Sequence, residues 1–241
     1  MNGIILEVTG LCKRYKDRDV LKNVSFRLEE GSAAALIGPQ GAGKTTLIRI
    51  LAGMAFPDAG DVSLFGCTGE AELRRARQKV GFLADAPFGK PTFNAEKNLL
   101  LRAGLYGKPD RGYIRQLMKR LNIGENQIGG WKLNRMLPDQ IGRYALAAAL
   151  VNRPRLLILD DPLAAIDTED LETVCGLLNE LREEGTAMLL SGRTAARLRL
   201  VCAEALILRE GVLTGPVPMA EAAEREAEET GRPEAGPAPG K

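Results

Sequence analysis

Ile4 to Val8, apolar except for Glu7 and alternating from Leu6 onward, predicts a short strand. Ala33 to Ile37 is a small apolar run that leads directly into Gly38, Gly41 and Gly43. Leu47, Ile48, Ile50 and Leu51 then recur at helical spacing, predicting a helix from Gly43 to about Gly53. Strands are expected at Asp61 to Phe65 and at Lys79 to Leu83, followed by a helical stretch from Ala95 to about Leu121 that breaks near Gly107 and Pro109. A long helix is predicted from Asp139 to about Val151. Leu156 to Leu159, apolar at every position, reads as a strand buried on both faces. Thr168 is expected to cap a helix reaching about Glu184, with Leu171, Val174, Leu177, Leu178 and Leu181 along one face. Ala187 to Leu190 and Ala205 to Leu208 complete the strands. Strands alternating with helices imply a mainly parallel sheet covered on both faces, hence an α/β fold.

Beyond Gly215 the pattern changes. MAEAAEREAEET forms helix readily but offers almost no aliphatic face, and RPEAGPAPGK is rich in Pro and Gly. Residues 218–241 are therefore expected to be solvated and largely disordered.

Composition narrows the function classes. Apolar residues make up 45% of the 241, enough for a real core. With 33 basic and 31 acidic residues the formal charge is +2, so no long-range field draws nucleic acid, and no nucleic-acid partner is expected. No window reaches the roughly 18 apolar residues of a membrane span, and MNGIILEVTG lacks a leader pattern, so the chain is expected to be cytoplasmic. Cys12, Cys67, Cys175 and Cys202 form no paired spacing. The absence of histidine removes imidazole metal sites and every Ser/His or Cys/His nucleophile pair.

The chemistry concentrates in Gly38-Pro39-Gln40-Gly41-Ala42-Gly43-Lys44-Thr45, which fits G-x-x-x-x-G-K-[ST] between an apolar strand and an apolar helix. Glycines let successive backbone N–H groups point at one spot, and the helix start adds partial positive charge. Lys44 supplies a mobile cation for β- and γ-phosphates, and Thr45 places a hydroxyl where Mg²⁺ would sit. The ion also needs a carboxylate from a neighbouring strand end, which Asp160 supplies after Leu156-Leu157-Ile158-Leu159. A plain N-cap is the other reading of Asp160 or Asp161.

With these residues in place, the chain resembles the ATP-binding subunit of an ABC transporter over about residues 3–215. The loop GPQGAGKTT, which extends the cradle to Thr46, the strand LLILDDP and their separation carry the resemblance. EVTGLCKRYKDRDVLKNVSFRLEEG and ILAGMAFPDAGDVSLFG add to it. The resemblance implies a P-loop NTPase fold of the ABC ATPase type at residues 1–217, with an antiparallel N-terminal β subdomain and a helical subdomain inserted at about 86–150. It implies ATP and Mg²⁺ as cofactors, and Tyr15 stacking on adenine, an exposed surface aromatic being the other reading of that residue. It also implies a second nucleotide-binding subunit, permease subunits in the membrane, and a place on the inner face of the cell membrane. Peptide-antibiotic export and immunity cassettes are the subtype it leans toward.

Several motifs depart from the family. Asp85 replaces the Q-loop glutamine, retaining an oxygen for Mg²⁺. The signature slot, normally LSGGQ, reads Met136-Leu137-Pro138-Asp139-Gln140; Asp139 there is expected to place negative charge near the partner's triphosphate. Asp161 fills the slot of the glutamate that orients the attacking water, about 1.5 Å shorter in reach. Gly192 fills the slot of the histidine, while Ala165-Ile166-Asp167 still resembles the D-loop. ATP binding with slow or absent hydrolysis is the expectation, as the regulatory half of an asymmetric pair with a non-identical partner. A soluble ABC-type module and a non-catalytic nucleotide sensor or scaffold are the alternatives. Phe88, Phe93, Leu99, Leu105 and Tyr106 are candidates to receive a coupling helix, some of them as core.

Overall fold

The computed structural model describes residues 3–83, 89–124 and 132–230. Strands β1 (Ile4–Tyr15) and β2 (Arg18–Glu29) form a long antiparallel hairpin. The predicted first strand stops at Val8, yet the observed one runs on to Tyr15. A register shift between Val8 and Leu11, with Gly10 at positive φ, carries the strand past the break in alternation. Strand β3 (Ala33–Ile37) leads to helix α1 (Lys44–Leu51), and β4 (Ala59–Leu64) returns to pair with β1, giving a small sheet of order β2-β1-β4.

Helix α2 (Glu70–Ala76) precedes β5 (Val80–Leu83). Helices α3 (Ala95–Ala103), α4 (Arg111–Arg120) and α5 (Pro138–Leu150) follow, so the inserted helical block lies between β5 and β6 (Leu156–Leu159). Helix α6 (Thr168–Glu183), β7 (Ala187–Gly192), the one-turn α7 (Ala195–Leu198), β8 (Glu204–Arg209), β9 (Val212–Pro218) and α8 (Met219–Thr230) complete the chain. The large sheet has the order β5-β6-β7-β3-β8-β9, parallel throughout except for β9.

Alternation along the buried strands divides the apolar side chains between two cores. Ala33, Ala35, Ile37, Leu157, Leu159, Met188 and Leu190 face α5 and α6. Ala34, Leu36, Leu156, Ile158, Ala187 and Leu189 face α1 and the small sheet. Both faces of the central strands are thus covered, which is why they read as unbroken apolar runs.

Two expectations are corrected. Thr168 is the first residue of α6 and not its cap; Asp167, in extended conformation, holds the N-cap position. Helix α8, expected to be solvated, docks onto the body. Its buried surface is Met219 and Ala222, small enough to escape a search for aliphatic periodicity. Residues 231–241 of the tail lie outside the described residues, as do Asp85 and Phe88. Among the described residues no helix is long and apolar enough to cross a membrane.

Candidate functional site

The phosphate loop begins where β3 ends. Gly38 is forced by its neighbour: a Cβ there would lie 2.1 Å from the Leu208 carbonyl oxygen on the adjacent β8. Gly43 precedes α1 at φ 110, a left-handed geometry that suits glycine, and a Cβ would lie 2.7 Å from the Val20 carbonyl oxygen. Arg18, at the tip of the β1–β2 hairpin, donates through Nη2 to the Gly41 carbonyl at 3.2 Å and so ties the hairpin to the loop. Tyr15 is the register partner of Arg18 and is 46% exposed, which puts an open aromatic on the hairpin end beside the loop.

Lys44 arches back over the loop, its Nζ donating to the carbonyls of Gly38 at 2.5 Å and Pro39 at 2.9 Å. Burial pushes its ammonium below the ordinary lysine range, while the charges of Asp160 and Asp161 oppose that shift. Thr45, on the first turn of α1, donates from Oγ1 to Asp160 Oδ2 at 2.7 Å. Asp160 Oδ1 accepts from Ser191 Oγ at the end of β7, and that same Ser191 oxygen accepts the Asp161 N–H at 3.0 Å. Because β3, β6 and β7 are parallel neighbours, their C-terminal ends bring Gly38, Asp160 and Ser191 to one edge, where sheets of this type bind ligands.

Asp161 has φ 49, a left-handed backbone that Asp accepts better than most residues. Desolvation, and after it the charge of Asp160, pushes its carboxyl above the ordinary range; Arg193 and Lys44 pull the other way. Thr45 and Asp160 present a hydroxyl and a carboxylate, hard oxygen donors that suit Mg²⁺. Among the described residues no group of three or more His, Cys, Asp or Glu could hold a metal without a ligand's help. A nucleotide-bound Mg²⁺ needs little more than one or two protein oxygens, with phosphate and water completing the shell, so this pair fits it.

The signature-slot residues lie apart from this cluster, at the start of α5, and the structure overturns one expectation about them. Asp139 does not project. It is 8% exposed, and its carboxylate accepts from Arg143 Nη2 at 2.5 Å and from the Asp167 N–H at 3.0 Å, joining α5 to the segment after β6. A second carboxylate, Asp170, lies 3.1 Å from Arg143 Nη1. Gln140 folds back to accept the Leu137 N–H at 3.0 Å, and Pro138 occupies the first helical turn. Leu137, 65% exposed, and Pro138 are the slot's outward-facing side chains, both without a donor.

Of the proposed coupling residues, Leu99 is fully buried, whereas Leu105 and Tyr106 are exposed at 67% and 36%. Sequence reasoning missed Ser191, Arg193 and Arg18. Ser191 lies at the C-terminal end of β7 and Arg193 directly follows that strand, so the strand-end rule that found Asp160 after β6 points to this edge, although a lone serine or arginine there carries no pattern of its own.

Comparison with known proteins agrees with this geometry. The sequence pattern of the ABC transporter family matches residues 21–164. An uncharacterized ABC transporter ATP-binding protein, YxlF of Bacillus subtilis (strain 168), is 30% identical over 211 residues, spanning 87% of this chain and 70% of that protein. The ATP-binding cassette MJ0796, in a dimeric structure of a post-hydrolysis state bound to ADP and Pi, has a similar fold. Its TM-score is 0.81 at 24% identity, over 89% of this chain and 99% of the other. CbiO1 of Clostridium perfringens, part of the ABC transporter complex CbiONQ, superposes with a TM-score of 0.76 at 22% identity, over 95% and 94% of the two chains.

Proposed function

The chain belongs to the ABC transporter family of ATP-binding proteins, and from that premise we propose that it binds Mg-ATP at a dimer interface and couples binding to separate membrane subunits, with slow or absent hydrolysis. It works on the cytoplasmic face of the membrane, as the regulatory member of a pair whose other nucleotide-binding subunit is a different protein. The observation that carries the reading is a contrast within one structure. Lys44, Thr45 and Asp160 converge at the loop, whereas the side chains in the signature slot are turned inward or apolar.

The loop amides between Gly38 and Thr46 and the start of α1 receive the phosphates, and Lys44 swings from the Gly38 and Pro39 carbonyls to the β- and γ-phosphates. Tyr15 offers a face for adenine, a contact of about 1 to 3 kcal/mol for stacked bases. Thr45 and Asp160 hold Mg²⁺, which neutralises charge on the phosphates when bound. Asp161 is the remaining candidate to orient water. A displacement of about 1 Å can cost on the order of a hundredfold in rate, and its carboxyl is short by more than that. Two copies of this chain would make two impaired sites, which favours a non-identical partner.

Calorimetry on the full chain is expected to show Mg-ATP binding that Lys44→Ala weakens at least tenfold, with turnover well below the ~1 per second at the low end of ordinary enzymes. Turnover at ordinary rates that Lys44→Ala abolishes overturns the slow-hydrolysis claim; absence of binding heat, alone and in the native assembly, overturns the whole reading.

A further inference from the structure

Strands β3 and β8 end side by side, with Ile37 and Ile207 paired in register. On the face they share with α5 and α6, the single turn of α7 and the helix α8 pack near these strand ends. What the two helices place there is mostly alanine: Ala195 and Ala196 from α7, Ala222 and Ala223 from α8. Side chains this short do not close the space, and a cavity of about 1030 Å³ is left between helices and sheet. Small-molecule sites run from about 300 to 1,000 Å³, so the volume is that of a ligand site and exceeds a packing defect.

The lining divides by chemistry. Ile37, Ile207 and Val212 join the four alanines in a mostly apolar interior. At the mouth stand Lys22, Arg193, Arg199 and Arg209, all exposed and drawn from β2, the exit of β7, the end of α7 and the end of β8. Two carboxylates also face the space, Glu210 and Glu226, and both oxygens of Glu226 accept the Ala195 N–H at 3.0 Å. Cations thus outnumber carboxylates around an apolar interior. The cavity meets the phosphate loop at Gly38 and Pro39, but Tyr15, Lys44, Thr45, Asp160 and Asp161 are not among the described residues that line it.

We propose that this cavity is a second ligand site, for a single-chain amphiphile with an anionic head, the chemical class of a free fatty acid. The apolar interior takes the chain out of water, and the basic mouth takes the head through charge-assisted hydrogen bonds. A small hydrophilic anion would leave the interior unfilled and gain nothing from it, and a cationic amphiphile would meet four like charges. The site stands independently of the nucleotide reading. Its occupant rests against Gly38 and Pro39, whose carbonyls hold Lys44 Nζ, and so it is placed to act on the phosphate loop without entering it.

The test titrates the full chain with dodecanoate, below its micelle-forming concentration, by calorimetry. Saturable one-to-one binding is expected, with hexanoate at least tenfold weaker because less chain is buried, and no saturable binding of dodecyltrimethylammonium. Ala196→Trp, at an exposed position, fills the cavity from α7 and is expected to weaken dodecanoate at least tenfold with the melting temperature nearly unchanged. Arg199→Glu, also exposed, is expected to weaken it about fivefold at low salt, with the difference shrinking as salt is raised. Saturating Mg-ATP is expected to leave the binding in place. No saturable binding, equal binding of the ammonium amphiphile, or several dodecanoates per chain insensitive to Ala196→Trp and Arg199→Glu overturns the site. Complete displacement by Mg-ATP assigns the probe to the nucleotide site and overturns it as well, whereas a failure to bind Mg-ATP sinks the earlier reading and leaves this one standing on the two variants.

Discussion

Asp161 combines a left-handed backbone with a carboxyl whose ionisation the fold opposes. Its folded pKa lies above the ordinary value of 3.8, because desolvation and then the Asp160 charge disfavour the anion. A group shifted upward binds protons more tightly in the folded state, so its ionisation costs stability at neutral pH, and that cost vanishes once the pH falls below 3.8. Asp161→Asn removes the charge and keeps a residue that accepts positive φ. The variant is expected to melt higher than wild type at pH 7 without nucleotide, with the difference shrinking as pH falls through the acid range. A difference independent of pH, read by thermal scans at several pH values, would assign the effect to the backbone and defeat the electrostatic account. Lys44, Thr45 and Asp160 were legible in the sequence because loop spacing and a strand end name them. Arg193 was not: one basic residue after an apolar strand carries no pattern, and only the pairing of Gly192 with Ile37 puts it beside the loop.

At the scale of elements, the start of α5 shows what a motif slot can hide. Read by position, Asp139 is a negative charge facing a partner; in the fold it is buried with Arg143 and bonded to the Asp167 N–H. The spacing from Asp139 to Arg143 is i to i+4, the interval at which opposite charges meet on a helix, and this was the available sign that the carboxylate has an internal partner. Removing Asp139 leaves the Asp167 N–H without its acceptor and the buried Arg143 with Asp170 as its remaining carboxylate, a cost of about 1 to 3 kcal/mol. Asp139→Ala is therefore expected to lower the melting temperature by roughly 2 to 12 °C for a chain of this size, and a shift under about 1 °C in a thermal scan would show that the pair contributes little. The α/β alternation and the central strands could be read because full burial leaves continuous apolar runs. Helix α8 could not, since Met219 and Ala222 bury too little aliphatic surface to leave a period, and its docking also relies on the Glu226 carboxylate. The far half of β1 escaped because the register shift after Val8 breaks alternation where the strand continues.

For the whole molecule, the question is whether two copies can close on ATP. A head-to-tail pair would set the loop of one copy against the start of α5 of the other, where Leu137 faces outward and the polar side chains of Asp139 and Gln140 are committed within their own chain. A triphosphate meeting an exposed leucine gains no donor in return for the water it loses. The near-neutral charge of +2 neither repels nor steers two copies, so short-range contacts decide. Wild-type chain at tens of micromolar is therefore expected to remain monomeric in Mg-ATP by sedimentation velocity, and to form a one-to-one complex when mixed with a cassette whose signature serine and glycines are intact. An ATP-dependent homodimer of wild type would sink this expectation. Leu137→Ser, a change at an exposed position, is expected to alter stability by no more than about 0.5 kcal/mol and still to give no homodimer, because the Asp139 side chain remains pinned to Arg143 and Asp167. Replacing Asp139 as well would open the slot only by breaking the buried pair. The asymmetry of the proposed complex is in this sense built into the core of α5, and no single surface substitution is expected to reverse it.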